Sequence, residues 1–228
     1  LATIEDITAS QKADYISQNQ TLLESAILPA YQQLVSALSD LKGSGKNDLG
    51  LCYLPDGKQY YCYLAERETG SSRSMDDMIS LIETQIASDL LALHSVVEEN
   101  PSITETASSK ISSTPDKILS DLEELIIGAF PEPSDVNVSV KYVPSSLEPY
   151  LSPAFYLIPA IDNSSENVIY INQGNALEDI DLFTTLAHEG YPGHLYQTTY
   201  FASTDPDPLR SLFNFKGYVE GWATYAEM

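Results

Sequence analysis

Apolar positions in the first third of the chain fall on a helical period. Leu23, Ile27, Tyr31, Leu34, Leu38 and Leu41 recur close to every 3.6 residues and predict an amphipathic helix, kinked at Pro29 and ended by Gly43-Ser44-Gly45. A second helix is expected from Lys58 to Glu68, closed by Gly70. A third should run from Met75 to Glu99. Ser74 stands at its N-cap, Asp76 and Asp77 lie in the first turn where the helix dipole favours acids, and Pro101 follows its end. The polar, Ser/Thr-rich stretch from Ser102 to Thr114 reads as a loop or weak helix, and Asp116 to Ala129 as a fourth helix stopped before Pro131 and Pro133.

Beyond Pro133 the period changes from helical to alternating. Val136, Val138 and Val140 alternate with polar residues, and Ala154 to Ile158 and Val168 to Ile171 are β-rich runs bounded by turn formers. These predict a small sheet, with Asp162 to Asn167 joining the last two strands as a hairpin loop. Glu178 to Phe201 then reads as an interrupted helix, Asp205 to Pro208 as a connection, and Tyr218 to Met228 as a final helix. The expected class is α+β and helix-dominated: a helical region over residues 1–130, then a small sheet plus metal-binding helices over residues 131–228.

Composition narrows the choice of partners. Of 228 residues, 43% are hydrophobic, enough for a proper core, and no stretch approaches the ~20 apolar residues that would insert in a bilayer. Acidic residues outnumber basic ones by 33 to 11, and the net charge of -22 repels nucleic acid at long range. Cys52 and Cys62 flank a Pro-Asp-Gly turn that could bring them together as a disulfide, while Cys62 also sits in a helical pattern that suits a buried thiol. Neither has zinc-finger spacing. The chain opens on Leu1 and stops at Met228 within a helical pattern, so it reads as part of a longer protein, and this piece alone is expected to be a poor catalyst.

The chemistry concentrates near the end. Two of the three histidines fall in His188-Glu189-Gly190-Tyr191-Pro192-Gly193-His194, directly after the apolar run Leu182 to Ala187. Neutral imidazoles are the commonest zinc ligands, and a neighbouring carboxylate can act as base toward water activated by the metal. The imidazoles stand at i and i+6, however, and a regular helix would set them roughly 120° apart around its axis. Gly190, Pro192 and Gly193 are residues that unwind helices, so two extra residues could loop out and return His194 to the face of His188. A third ligand is needed. On the last helix Glu220, Thr224 and Glu227 share one face, making Glu220 the candidate ligand and Glu227 a partner behind the ligands or an ion-pair residue. Small Gly221 and Ala223 would let that helix come close.

The run from Ala187 to Gln197, together with Glu220-Gly221-Trp222-Ala223-Thr224-Tyr225-Ala226-Glu227, resembles the bacterial domain-of-unknown-function family 885. That family includes many predicted lipoproteins and is grouped with the gluzincin metallopeptidases. Tyr60 to Leu64 with Thr69-Gly70 extends the similarity to about residue 15 onward. The resemblance implies His188, His194 and Glu220 as zinc ligands, Glu189 as general base, and an extracytoplasmic, secreted or lipid-anchored protein. It departs at Leu195, where family members often carry a further histidine.

The resulting expectation is a zincin-like, zinc-dependent hydrolase that cleaves a peptide or peptide-like substrate. The edge strand beside the metal helix, Ala154 to Ile158 or Val168 to Ile171, would hold the substrate by main-chain pairing. Two alternatives use the same residues: a non-catalytic surface or binding module that keeps the fold, and a hydrolase of a non-peptide amide. His94, among Leu91, Leu93 and Val96, reads as structural or surface. Tyr191, Tyr196 and Tyr225 could donate to an oxyanion but more often such rings pack.

Overall fold

The computed structural model of the chain describes residues 7–45, 47, 50–103, 111, 114–160, 165–175, 177, 179–213 and 215–228. Two compact units divide between Lys58 and Gln59. In the first, helix α1 (Ala9–Leu22) opens on a capping box. The Thr8 side chain accepts from the Gln11 backbone while the Gln11 side chain returns to the Thr8 N–H. Helix α2 (Leu28–Leu41) continues from it through a π-helical insert, Leu23–Ile27. Pro29 has no N–H to give and crowds the turn before it, and widening that turn is one way to absorb the misfit. The expected kink is therefore a local change of helix type. Gly43, at φ +81, ends the run in the left-handed region.

In the second unit, helix α3 (Gly57–Thr69, whose first two residues belong to the first unit) is closed by Gly70 at φ +65. Helix α4 spans Met75–Glu99, with the Ser74 side chain accepting from the Asp77 N–H at 3.1 Å. Much of the predicted Ser102 to Thr114 segment lies outside the described residues. Helix α5 (Pro115–Leu125) ends four residues before the expected Ala129, where the chain turns through Gly128 at φ +83. Its apolar face buries Ile118, Leu119 and Leu122.

The strands are β1 (Asn137–Tyr142), β2 (Ala154–Leu157) and β3 (Glu166–Ile171), in the order β1-β3-β2. Val136 falls just outside β1. β2 and β3 form the expected antiparallel pair, with Tyr156 opposite Ile169, and the tip of their loop, residues 161–164, lies outside the described residues. β1 lies parallel to β3, with Val140 beside Ile169. Because β3 is central, Val168 to Ile171 cannot serve as an edge; Ala154 to Leu157 of β2 can.

Alternation sends Asn167, Ile169 and Ile171 of β3, with Ala154 and Tyr156 of β2, to one buried face. Helices α5, α6 (Asp179–Glu189) and α7 (His194–Ser203) supply Ile118, Leu186 and Leu195 to the same core. The Tyr156 hydroxyl donates to Asn167 Oδ1 at 2.5 Å, which satisfies both buried polar groups, and burial pushes the phenol pKa up to about 12. Helix α8 (Lys216–Glu227) follows a 3-10 turn, Pro208–Leu212. The molecule is thus α+β and helix-dominated. Cys52 is exposed and Cys62 half-buried. Among the described residues no helix is long and apolar enough to cross a membrane.

Candidate metal centre

Helix α6 stops at Glu189 and α7 starts at His194, so Gly190 to Gly193 leave the helix as the histidine spacing demands. The backbone shows how. Gly193 N–H donates to Ala187 O at 2.9 Å and Tyr196 N–H to Gly190 O at 3.1 Å, each spanning six residues instead of the helical four. Two residues are looped out, and the helical register resumes beyond them. The turn contains a cis Tyr191–Pro192 bond. Gly193 is obligatory here, since a Cβ would overlap the carbonyl oxygens of His188 and Ala187. A Cβ on Gly190 would come within 2.5 Å of Leu119 and 2.8 Å of the Leu186 oxygen.

The detour brings the two imidazoles edge to face, with ring centroids 4.6 Å apart. Helix α8 presents Glu220, whose Oε2 lies 3.7 Å from His188 Nε2 and 3.5 Å from His194 Nε2. One donor atom from each of His188, His194 and Glu220 falls within 4.8 Å of the other two. Zinc bonds of 2.0–2.1 Å at tetrahedral angles separate donors by about 3.3 Å, so the two imidazole-carboxylate spacings need only a small contraction. Two neutral nitrogens and one carboxylate oxygen are a donor set suited to zinc. Glu227, two turns beyond Glu220, bonds His188 Nδ1 from behind.

Glu189 reaches β2, where its Oε2 accepts the Tyr156 N–H at 2.8 Å, and it lies close enough to His188, Glu220 and Glu227 to feel their charges. Burial raises its pKa, opposed by the Tyr156 N–H and by His188, while Glu220 and Glu227 add to the rise. Burial and then the His188 charge lower that of His194, against a contrary pull from Glu220. A neutral imidazole is the ligating form.

The remaining candidates lie elsewhere or are otherwise engaged. His94 is exposed and pairs with Glu98 one turn on, at 3.5 Å. The Tyr196 hydroxyl donates to Pro131 O at 2.9 Å. Tyr191 is buried, and its pKa is raised by burial and then by Glu123. Tyr225 is exposed. Ala223 is fully buried, as a close helix approach requires, whereas a Cβ on Gly221 would meet nothing, so only one of the two small residues is needed.

Two contacts escaped the sequence reading. The Tyr156 N–H to Glu189 bond joins residues 33 apart, and only the expectation of an edge strand beside the metal helix hinted at it. Trp222 Nε1–H donates to Pro192 O at 2.7 Å, and its sole signal was a lone tryptophan two residues after the candidate ligand.

Fold and site together define an α+β, helix-dominated protein with a candidate metal centre built on one broken helix and one following helix. The model of the family described as "Bacterial protein of unknown function (DUF885)" matches residues 1–228, and the chain belongs to that family. Among solved structures it is similar to the crystal structure of "the putative lipoprotein from Colwellia psychrerythraea", at 21% identity and a TM-score of 0.75. That alignment covers 99% of this chain and 43% of the other, so the chain spans less than half the length of that protein. No curated protein matches the chain.

Proposed function

We propose that the chain carries the catalytic centre of a zinc-dependent metallopeptidase of the gluzincin kind, with a zincin-like core in residues 131–228 on which α5 packs. The observation that carries this reading is the convergence of His188, His194 and Glu220 donor atoms within 4.8 Å. Bound there, zinc would polarise a carbonyl and lower the pKa of water toward ~7. Glu227 fixes the tautomer of His188 by holding Nδ1, which turns Nε2 toward the other donors. Glu189, tethered through Oε2, keeps Oε1 to take a proton from water and pass it to the leaving amine. Edge strand β2 runs beside α6 and offers main-chain groups to an extended peptide, although its Tyr156 N–H is already given to Glu189.

The test compares Glu189→Gln with Glu220→Gln for metal stoichiometry and peptide hydrolysis in the full-length protein. Glu189→Gln should keep zinc and lose ~10²–10⁴-fold in turnover, because an amide takes no proton at neutral pH. Glu220→Gln should give up zinc to mild chelation, since a neutral amide is a poorer ligand. An active Glu189→Gln beside a Glu220→Gln that holds its zinc would show both carboxylates misassigned, with Glu227 the next candidate ligand. An extracytoplasmic location, secreted or lipid-anchored, is proposed from the likeness to the protein described as "the putative lipoprotein from Colwellia psychrerythraea", and cell fractionation tests it.

A further inference from the structure

We infer that Trp222 is a positioning residue for the metal centre: its indole N–H, bonded to Pro192 O, holds the carboxylate-bearing helix α8 in register with the loop between the two histidines. This deepens the zinc reading and rests on it.

The need for such a brace follows from how the ligands are built. His188 and His194 are fixed by the backbone of one broken helix, through Gly193 N–H to Ala187 O and Tyr196 N–H to Gly190 O. Glu220 comes from a separate helix, and its side chain is 59% exposed, so packing alone does not hold it. Its position relative to the imidazoles depends on the seat of α8. Trp222, two residues further on, donates to Pro192 O at 2.7 Å, and Pro192 lies two residues before His194. The bond therefore ties the two ligand-bearing segments together within two residues of a ligand on each side. The indole is itself held on three sides: edge to face with Phe130 at 6.0 Å, stacked with Tyr196 at 6.4 Å and tilted against Tyr225 at 6.2 Å. Tyr196 belongs to α7, the helix that begins with His194, and Phe130 to the segment after α5. A rotation of α8 that carried Glu220 off the imidazoles would have to break the indole hydrogen bond and this stack together.

Preorganisation of this sort appears as affinity, because a helix already seated loses less freedom when the metal arrives. A single hydrogen bond of this kind is worth up to about tenfold. Trp222→Phe keeps a ring in the stack and deletes only the donor. Zinc affinity would be measured by competition with a chromophoric chelator in the parent, Trp222→Phe, Glu220→Gln and the double variant. The inference expects Trp222→Phe to bind zinc about tenfold more weakly, and the double variant to lie within about twofold of Glu220→Gln, since the brace acts through Glu220. Affinity unchanged in Trp222→Phe, or a full further tenfold loss in the double variant, would overturn it.

Should Trp222→Phe fail to fold by circular dichroism, the unaltered chain decides, because it holds one tryptophan. The brace stands before the metal arrives, so metal-free emission should already be that of a partly shielded indole, and a solvent-exposed emission maximum that shifts only when zinc is added overturns the inference. His188→Ala separates the two levels of the account. If it keeps the parent's zinc, the metal lies elsewhere and the site reading fails; if it loses zinc while Trp222→Phe does not, the positioning role alone fails.

Discussion

Helix α4 and strand β3 are both written in clear apolar patterns, yet they end in opposite environments. The stripe Ile82, Ile86, Leu90, Leu93 and Val97 of α4 is exposed throughout its 25 residues, while β3 buries Asn167, Ile169 and Ile171 within six. A pattern specifies which element forms and which face is apolar, and burial additionally requires a partner for that face. α4 is held by local terms: the Ser74 cap, Asp76 and Asp77 on the helix dipole, and an i,i+4 bond from Gln85 to Asp89 at 2.7 Å. β3 is held by packing against α5, α6 and α7, and the candidate metal centre is built on that packed part.

Truncating Ile169 and Leu90 to alanine is the sharpest way to break this contrast. Ile169→Ala should cost about 2–5 kcal/mol, and Leu90→Ala should stay near the ~0.5 kcal/mol typical of surface changes. Chemical denaturation measures both, and comparable losses would show that α4 has a packing role the exposed stripe does not reveal. Gly193→Ala and Gly221→Ala draw the same line inside the site. The first forces the His188 backbone to move at a cost of ~1–3 kcal/mol and should weaken zinc binding. The second adds a methyl in open space and should leave zinc affinity and stability unchanged. A tight-binding Gly193→Ala would mean the loop between the histidines has slack.

What could be read from the sequence follows from the range of each interaction. Met75–Glu99 agrees with its expected bounds because cap, dipole acids and period are all local. The departure from helix at Gly190 was legible because two histidines six apart, with glycines and proline between, leave few alternatives. The parallel pairing of β1 with β3 was not, since nothing near Val138 specifies a partner 29 positions on at Asn167. The shortened α5 reflects tertiary context, with Ile126 drawn into the core ahead of the turn at Gly128. Glu227 was legible as a residue on the face of Glu220 but not as the partner of His188 Nδ1, because that contact depends on how α6 and α8 cross.

Smaller effects refine the account of the packed part. Glu227→Gln should weaken zinc binding by ~10–100-fold through loss of the anionic partner of His188, measured by chelator competition, with little change in secondary structure. An unchanged affinity would leave Glu227 a surface ion-pair residue. Tyr156 supplies the smallest effect. Its phenol ionises near 10 when unfolded and at about 12 when folded, so the folded state holds the proton more tightly. Its contribution to stability is complete below about pH 10 and falls as pH rises from there through about 12. Urea midpoints at pH 8 and pH 11 should therefore fall less in Tyr156→Phe than in the parent, and equal falls would refute the assignment.

In the proposed function His188, His194 and Glu220 hold one zinc ion. Anomalous scattering at the zinc edge, on crystals with the ligand atoms identified, tests it most directly. A single peak is expected, bonded to Nε2 of both histidines and to a Glu220 oxygen at about 2.0–2.2 Å, with the fourth position not filled by protein. No peak at this point, or an ion closed by four protein ligands, would contradict it.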